Sequence, residues 1–214
     1  MNRYHQRLCR SADWADFVAG EMLPAALDGA DIGPRVLELG PGYGASTRGL
    51  LERTHSLAAV ESDPKLVDHL RQEFGPTLDV VLGDATRLPY GDASFSAVVC
   101  FTMLHHLPSA EAQDRLFAEV ARVLEPGGVF VARDSGGGWR FRLIHLGDIC
   151  TPVSPRGLRL RLCQAGLQPV EITAVPGMVQ FRALRPVESR SRVAAIAAPM
   201  AISGAEKRTA GVES

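Results

Sequence analysis

Apolar and polar positions along this chain follow two rhythms, and the chain switches between them repeatedly. Short, nearly unbroken apolar runs, "RVLELG", "SLAAVESD", "LDVVLGDA", "SAVVCFTML" and "GGVFVARD", predict five strands. Between them, "ASTRGLLERT", "DPKLVDHLRQEF" and "AEAQDRLFAEVARVL" place apolar residues on one helical face. Leu66, Val67, Leu70 and Phe74 share a face of the second helix, and Gly75-Pro76 stops it. Leu116, Phe117, Val120 and Leu124 do the same in the third, which "EPGG" ends. Ahead of the first strand, "SADWADFVAGEMLPAAL" predicts one more helix with Ser11 as its N-cap. Strands that are apolar throughout and alternate with helices indicate a parallel sheet covered on both faces, joined by right-handed crossovers.

The rhythm changes late in the chain. "SPRGLRLRLCQAGL" reads as a helix ending at Gly166. "PVEITAVPGMVQFRALRP" then offers two strands around Pro176-Gly177, the pattern of an antiparallel hairpin. The expected fold is therefore α/β: a Rossmann-like three-layer sandwich whose mostly parallel, seven-stranded sheet ends in that hairpin. One domain is expected over residues 1–186. Residues 187–214, rich in Ala, Ser, Gly and charge, are expected to form a mobile tail.

Composition narrows the classes. The 214 residues are 46% hydrophobic with a formal net charge of −1, enough for one sizeable core and without a global charge that would attract nucleic acid. Cys9, Cys100, Cys150 and Cys163 form no C-x-x-C pair, so reduced thiols are expected. No apolar run reaches the ~20 residues of a membrane span, and the first residues show no signal-peptide pattern. A cytoplasmic protein without stable membrane insertion is expected; its oligomeric state is not legible.

The candidate chemistry begins where the first strand ends. In "VLELGPGYGAST", Gly40, Gly42 and Gly44 make a G-x-G-x-G loop, and Gly40, Gly42 and Ala45 also satisfy G-x-G-x-x-A. Bare backbone at a strand-loop-helix junction lets a ligand approach the chain, and the helix N-terminus behind it favours an anionic group. Glu61 closes the second strand, where a carboxylate can accept from ribose hydroxyls. Asp84 follows the third, where it can accept from an exocyclic amine. NAD and S-adenosylmethionine (SAM) both carry an adenosine, and these residues alone leave both open.

As a set, "VLELGPGYG", "VESDPKLV", "VLGDATRLPYGDASFSAVVCFTMLHHL" and "EVARVLEPGGVFV" resemble the class I SAM-dependent methyltransferases, close to the small-molecule group labelled type 11. The resemblance runs from about Arg35 to Asp134. It implies that the seventh strand inserts antiparallel between the fifth and sixth. It further implies that SAM is the cofactor, that Gly40, Gly42 and Gly44 pack on its methionine part, and that Glu38 orients that region. Glu61 would hold the ribose, Asp84 would read the adenine amine with Ala85 beside the ring, and Phe101 and Thr102 would pass near the methionine amine. Residues 1–30 would form an N-terminal helical lid.

The implied activity is methyl transfer to a small-molecule O, N or C nucleophile by in-line displacement; the Arg-rich segment after the fifth strand reads as an amphipathic helix with a solvated face or as the rim of a pocket for an amphiphilic or anionic acceptor. A hydroxyl acceptor needs a base, and His105 and His106 in "MLHHLPS" are the candidates. Tyr4 and His5 in the lid and Trp139 and Arg140 after the fifth strand are candidate acceptor contacts. His5, His55, His69 and His145 look scattered, and no metal constellation stands out. The position after the fourth strand lacks the Asn/Asp-Pro-Pro-aromatic motif, which counts against base N-methylation; no nucleic-acid partner is expected, and protein or ribosomal RNA targets at other atoms stay open. Two alternatives remain: a SAM-binding module without transfer activity and, more remotely, an NAD-dependent oxidoreductase, for which no Tyr-x-x-x-Lys pair is present.

Overall fold

The structure, a computed structural model, describes residues 2–187. After Val187 itself, the expected tail lies outside the described residues. Seven strands form one sheet in the order β3-β2-β1-β4-β5-β7-β6. They are β1 (Arg35–Leu39), β2 (Ser56–Glu61), β3 (Asp79–Leu82), β4 (Phe95–Phe101), β5 (Leu124–Asp134), β6 (Gln168–Val175) and β7 (Met178–Leu184). β1 to β5 run parallel, and β7 enters antiparallel between β5 and β6. Gly177 takes the left-handed conformation, φ 85°, at the hairpin turn. Eight α-helices accompany the strands among the described residues: α1 (Arg3–Cys9), α2 (Ala12–Phe17), α3 (Leu23–Leu27), α4 (Ala45–Leu51), α5 (Pro64–Phe74), α6 (Ala110–Val123), α7 (Trp139–Ile144) and α8 (Leu158–Gln164).

Alternation along the strands builds a core on each face of the sheet. Leu37, Val98 and Phe130 pack with α6 and α8 residues such as Phe117 and Leu162. Val36, Val99 and Val131 pack on the other face with Met22, Leu23, Val67 and Leu70. Phe117, Phe130 and Phe181 meet edge-on or tilted at ring distances of 5.4–6.1 Å in the first core.

Two local expectations are revised. The helix expected over "SADWADFVAGEMLPAAL" is interrupted by a wide π turn at Val18–Met22, between α2 and α3. Pro24 explains the break: it has no N–H to donate, and its ring would crowd the carbonyl four residues back. "EPGG" is not merely the stop after α6. It lies within β5, where the register slips between Phe95 and Ala97, and Gly127 and Gly128 exchange backbone hydrogen bonds with Arg185.

The β1–α4 junction sets up the glycine loop. Glu38, almost fully buried, accepts from the hydroxyls of Ser46 and, at 2.7 Å, Thr47 in the first turn of α4. Burial pushes its carboxyl up to about 7; the two hydroxyls oppose that rise and the Glu61 charge adds to it. An acid whose folded pKa is raised stabilises the fold most below its unfolded pKa. That stability is lost as pH rises through the folded value. A rise from 4.5 to about 7 corresponds to roughly 3 kcal/mol at most. Urea unfolding of wild type and Glu38→Gln at pH 4.5 and pH 8 tests this. The stability of wild type relative to the variant should fall by an amount of that order across the interval; a flat difference would show a carboxyl that titrates normally. Phe130→Ala, which empties the centre of the aromatic trio, should cost about 3–5 kcal/mol by the same measurement at any pH.

Candidate active site

The carboxyl ends of β1, β2 and β3 deliver the expected residues side by side. Gly40, Gly42 and Gly44 all have positive φ, 64°, 61° and 78°. A Cβ on Gly40 would collide with Met103, and one on Gly44 with the Phe74 ring. A Cβ on Gly42 would meet nothing within 4 Å, so Gly42 alone of the three faces open space. Its N–H donates to Glu61 Oε2 at 3.2 Å.

Glu61 is buried, and its other oxygen accepts from the N–H groups of Ser62, 2.7 Å, and Asp63, 3.0 Å. A carboxylate offers about four lone-pair sites. The Ser62 hydroxyl also approaches Oε1, at 3.4 Å, so that oxygen is fully engaged, while Oε2 takes only the Gly42 N–H and has room for one further donor. Asp84 is exposed, and its Oδ1 caps a local turn by accepting from Thr86 N–H at 2.8 Å. Ala85 is half-buried beside it. Phe101 ends β4, and Thr102 follows with φ 52°, a costly conformation for a β-branched residue. Backbone strain at a strand end beside a glycine loop is the kind that functional sites retain. Thr102 N–H donates to Arg133 O at 2.8 Å, locking the end of β4 to β5.

The acceptor side departs from the sequence reading. His5, His105, His106 and His145 are not scattered: one ring nitrogen from each lies within 4.8 Å of the others. The reading that no metal constellation exists is therefore corrected. Its members come from α1, from the 3-10 turn Leu104–His106 after β4, and from the residue following α7. Sequence separations of 39 and 100 positions hide such a group; only the adjacent pair His105-His106 was visible.

His105 Nδ1 lies 2.7 Å from Asp134 Oδ1 at the end of β5, with both side chains buried. His145 Nδ1 lies 2.7 Å from the Phe141 carbonyl, which can only accept. Burial first, and the neighbouring histidines after it, lower His5 to about 4 and His106 to about 2. Burial also lowers His145. Asp148 Oδ2 sits 3.5 Å from His5 Nδ1 and accepts from Asn2 N–H at 2.8 Å, holding α1 down. Tyr4 and Trp139 are largely exposed, 66% and 69%, so neither is drawn into the histidine group. The Arg140 side chain lies outside what the structure describes. No described helix is long and apolar enough to cross a membrane.

The family described as "Methyltransferase domain" matches residues 37–132. An uncharacterized methyltransferase of Mycobacterium bovis is 38% identical over 132 residues, covering 60% of this chain and 49% of its own. A ribosomal RNA small subunit methyltransferase A of Chlorobium chlorochromatii is 41% identical over 64 residues, 30% of this chain and 24% of its own. The chain thus spans about half or less of the length of these curated relatives. A SAM-dependent methyltransferase from Aquifex aeolicus has the same fold, with TM-score 0.68 over 86% of this chain and 98% of its own at 15% identity. The sheet order with its inserted antiparallel strand, the glycine loop and the matched segment agree: residues 37–132 match the methyltransferase domain, and the fold around them is that of SAM-dependent methyltransferases.

Proposed function

We propose that this chain transfers a methyl group from SAM to a small-molecule acceptor by in-line displacement. The observation that carries the reading is the row formed by Gly42, Glu61 and Asp84 at the ends of three adjacent parallel strands, with Gly42 facing open space. Ligands of open α/β sheets bind at this edge.

The residues present fit the cofactor. Glu61 has a lone-pair site left for a ribose hydroxyl. Asp84 is exposed and ready to accept from an adenine amine, with Ala85 alongside. The bare backbone of Gly42 admits the methionine part, and the buried Glu38 carboxyl fixes the loop around it. The backbone of Phe101 and Thr102 borders the same region. When bound, SAM supplies a methyl group already activated on a sulfonium. What remains for the protein is positioning, which supplies ~7–11 kcal/mol in favourable cases.

On the acceptor side, Asp134 holds the His105 Nδ1 proton and so presents Nε2 with its lone pair free of that bond. That lone pair can take a proton from a hydroxyl acceptor or coordinate a cation. A small acceptor suits a site roofed by α1 and the α7 segment, from which His5 and His145 reach inward, both buried. The Chlorobium relative's name points to ribosomal RNA instead, and the near-neutral charge of this chain argues against it.

Calorimetry with SAM, S-adenosylhomocysteine and NAD tests the cofactor. The first two should bind and NAD should not. Glu61→Gln should weaken SAM by about tenfold or more, the scale of one charge-assisted hydrogen bond. Gly42→Ala should do so while lowering stability by about 1–2 kcal/mol through its left-handed backbone. Unchanged affinity in both variants would remove the assigned contacts. Transfer is then read by mass spectrometry with labelled SAM against a small-molecule extract and, separately, ribosomal RNA. Label in RNA alone would overturn the small-molecule acceptor, and SAM binding without label in either arm would favour a binding module.

A further inference from the structure

We infer that His5, His105, His106 and His145 form a zinc site that fastens the N-terminal helix and the α7 segment to the turn after β4. The inference goes beyond methyl transfer and does not rest on it.

The geometry supplies the donors. Four imidazoles from three separate parts of the chain converge, with one ring nitrogen of each within 4.8 Å of the rest. Around a tetrahedral zinc, bound at roughly 2.0–2.1 Å, nitrogens lie somewhat closer together than that. The rings must therefore draw in around the ion as it binds.

The hydrogen bonds aim them. The Phe141 carbonyl and the Asp134 carboxylate can only accept, so Nδ1 of His145 and of His105 carries the proton. In each neutral ring this leaves the lone pair on Nε2. Both Nε2 atoms are buried without a hydrogen-bond partner. Buried polar atoms are nearly always satisfied, and two orphans in one cluster need a common explanation. One cation satisfies them together, which no single proton on one ring can do.

The surroundings match a metal centre as well. Asp134 behind His105 makes the carboxylate–histidine arrangement that orients a ligand and strengthens it as a donor. Asp148 lies 3.5 Å behind His5. An all-imidazole set disfavours Mg²⁺ and Ca²⁺, which take oxygen ligands, and suits zinc among the borderline ions. Four protein ligands complete a tetrahedral shell, the pattern of a structural zinc rather than one with an open reactive position. Its position gives it a structural task. α1 and α7 are short helices, and the histidines bind them to the end of β4. With Nε2 on the ion, His105 is a ligand and not a proton acceptor, so the two uses of that nitrogen exclude each other.

The test uses the full chain carrying no polyhistidine tag, freed of metal by chelator and titrated with Zn²⁺ against a chromophoric competitor in the absence of SAM. One equivalent should bind, Mg²⁺ and Ca²⁺ should not compete, and Co²⁺ in its place should give the visible absorption of a tetrahedral site. Zinc should raise the thermal midpoint. His5→Ala and His145→Ala should each weaken binding by at least about tenfold and lose the Co²⁺ spectrum. Asp134→Asn should weaken it about 10–100-fold. His55→Ala and His69→Ala, outside the cluster, should change nothing. Circular dichroism checks that each variant is folded, and His5→Ala, in the short helix α1 and off the sheet, carries the test if another variant is not. No saturable zinc binding, or binding indifferent to both His5→Ala and His145→Ala, would overturn the site. Because SAM is absent, either result leaves the methyltransferase reading where it stood.

Discussion

One buried carboxylate governs the cofactor edge. Glu38 is the fourth residue of β1, placed by the pleat on the face that α4 must cover, and it reaches the Ser46 and Thr47 hydroxyls in the first turn of that helix. Those bonds fix where α4 begins relative to β1. The loop between them must then turn within five residues, which forces left-handed backbone at Gly40, Gly42 and Gly44. The same turn delivers the Gly42 N–H to Glu61 and so ties the end of β2 to the end of β1. The cost is a carboxyl held away from water, visible in its raised pKa. A cationic group bound beside it would recover part of that cost, which makes the strained junction better suited to an occupied site than to an empty turn.

The glycine loop and the strand-end acids beside it were legible in the sequence because each part is local. A strand, a turn and a helix lie within about twenty consecutive residues, and Glu61 and Asp84 repeat the same strand-end position one and two strands further on. Two periodicities, 2.0 and 3.6, suffice to find them. The π turn at Val18–Met22 was harder to see, since the amphipathic pattern runs straight across it; Pro24 was the signal, and it was overridden by the periodicity around it. The histidine group was not legible at all. It depends on how α1 packs over the sheet edge and where the segment after β5 returns, and neither follows from local pattern. Asp134 offered the one clue, a carboxylate at a strand end, but its partner His105 lies 29 residues away.

The two sides of the site are built to different standards. The cofactor side rests on strand ends whose backbone is paired on both flanks. The acceptor side rests on seven- and six-residue helices, α1 and α7, which are too short to be stable without tertiary contacts. Their outer faces leave Trp139, Leu143 and Leu146 exposed, so little apolar burial holds them. What does hold them is polar: Asn2 to Asp148 and to the Leu146 carbonyl, and the stacked and edge-on imidazoles beneath. Elements secured this way belong to the low-stability end of a fold, where local opening is least costly.

The segment from Thr102 to His106 joins the two sides. Thr102 carries the strained backbone, φ 52°, and its N–H is held by Arg133. Met103, next in sequence, fills the space that a side chain on Gly40 would need. The Leu104 carbonyl accepts from Gln113 Nε2, and the His105 carbonyl accepts from Thr151 N–H at 2.8 Å, while its ring meets Asp134. The glycine loop and the histidine group are thus separated by two residues of one turn. A side chain added at Gly40 would displace the Met103 side chain, so its absence lets the loop pass under Met103, two residues ahead of His105. The strain at Thr102 is the local cost of bringing the chain out of β4 sharply enough to serve both.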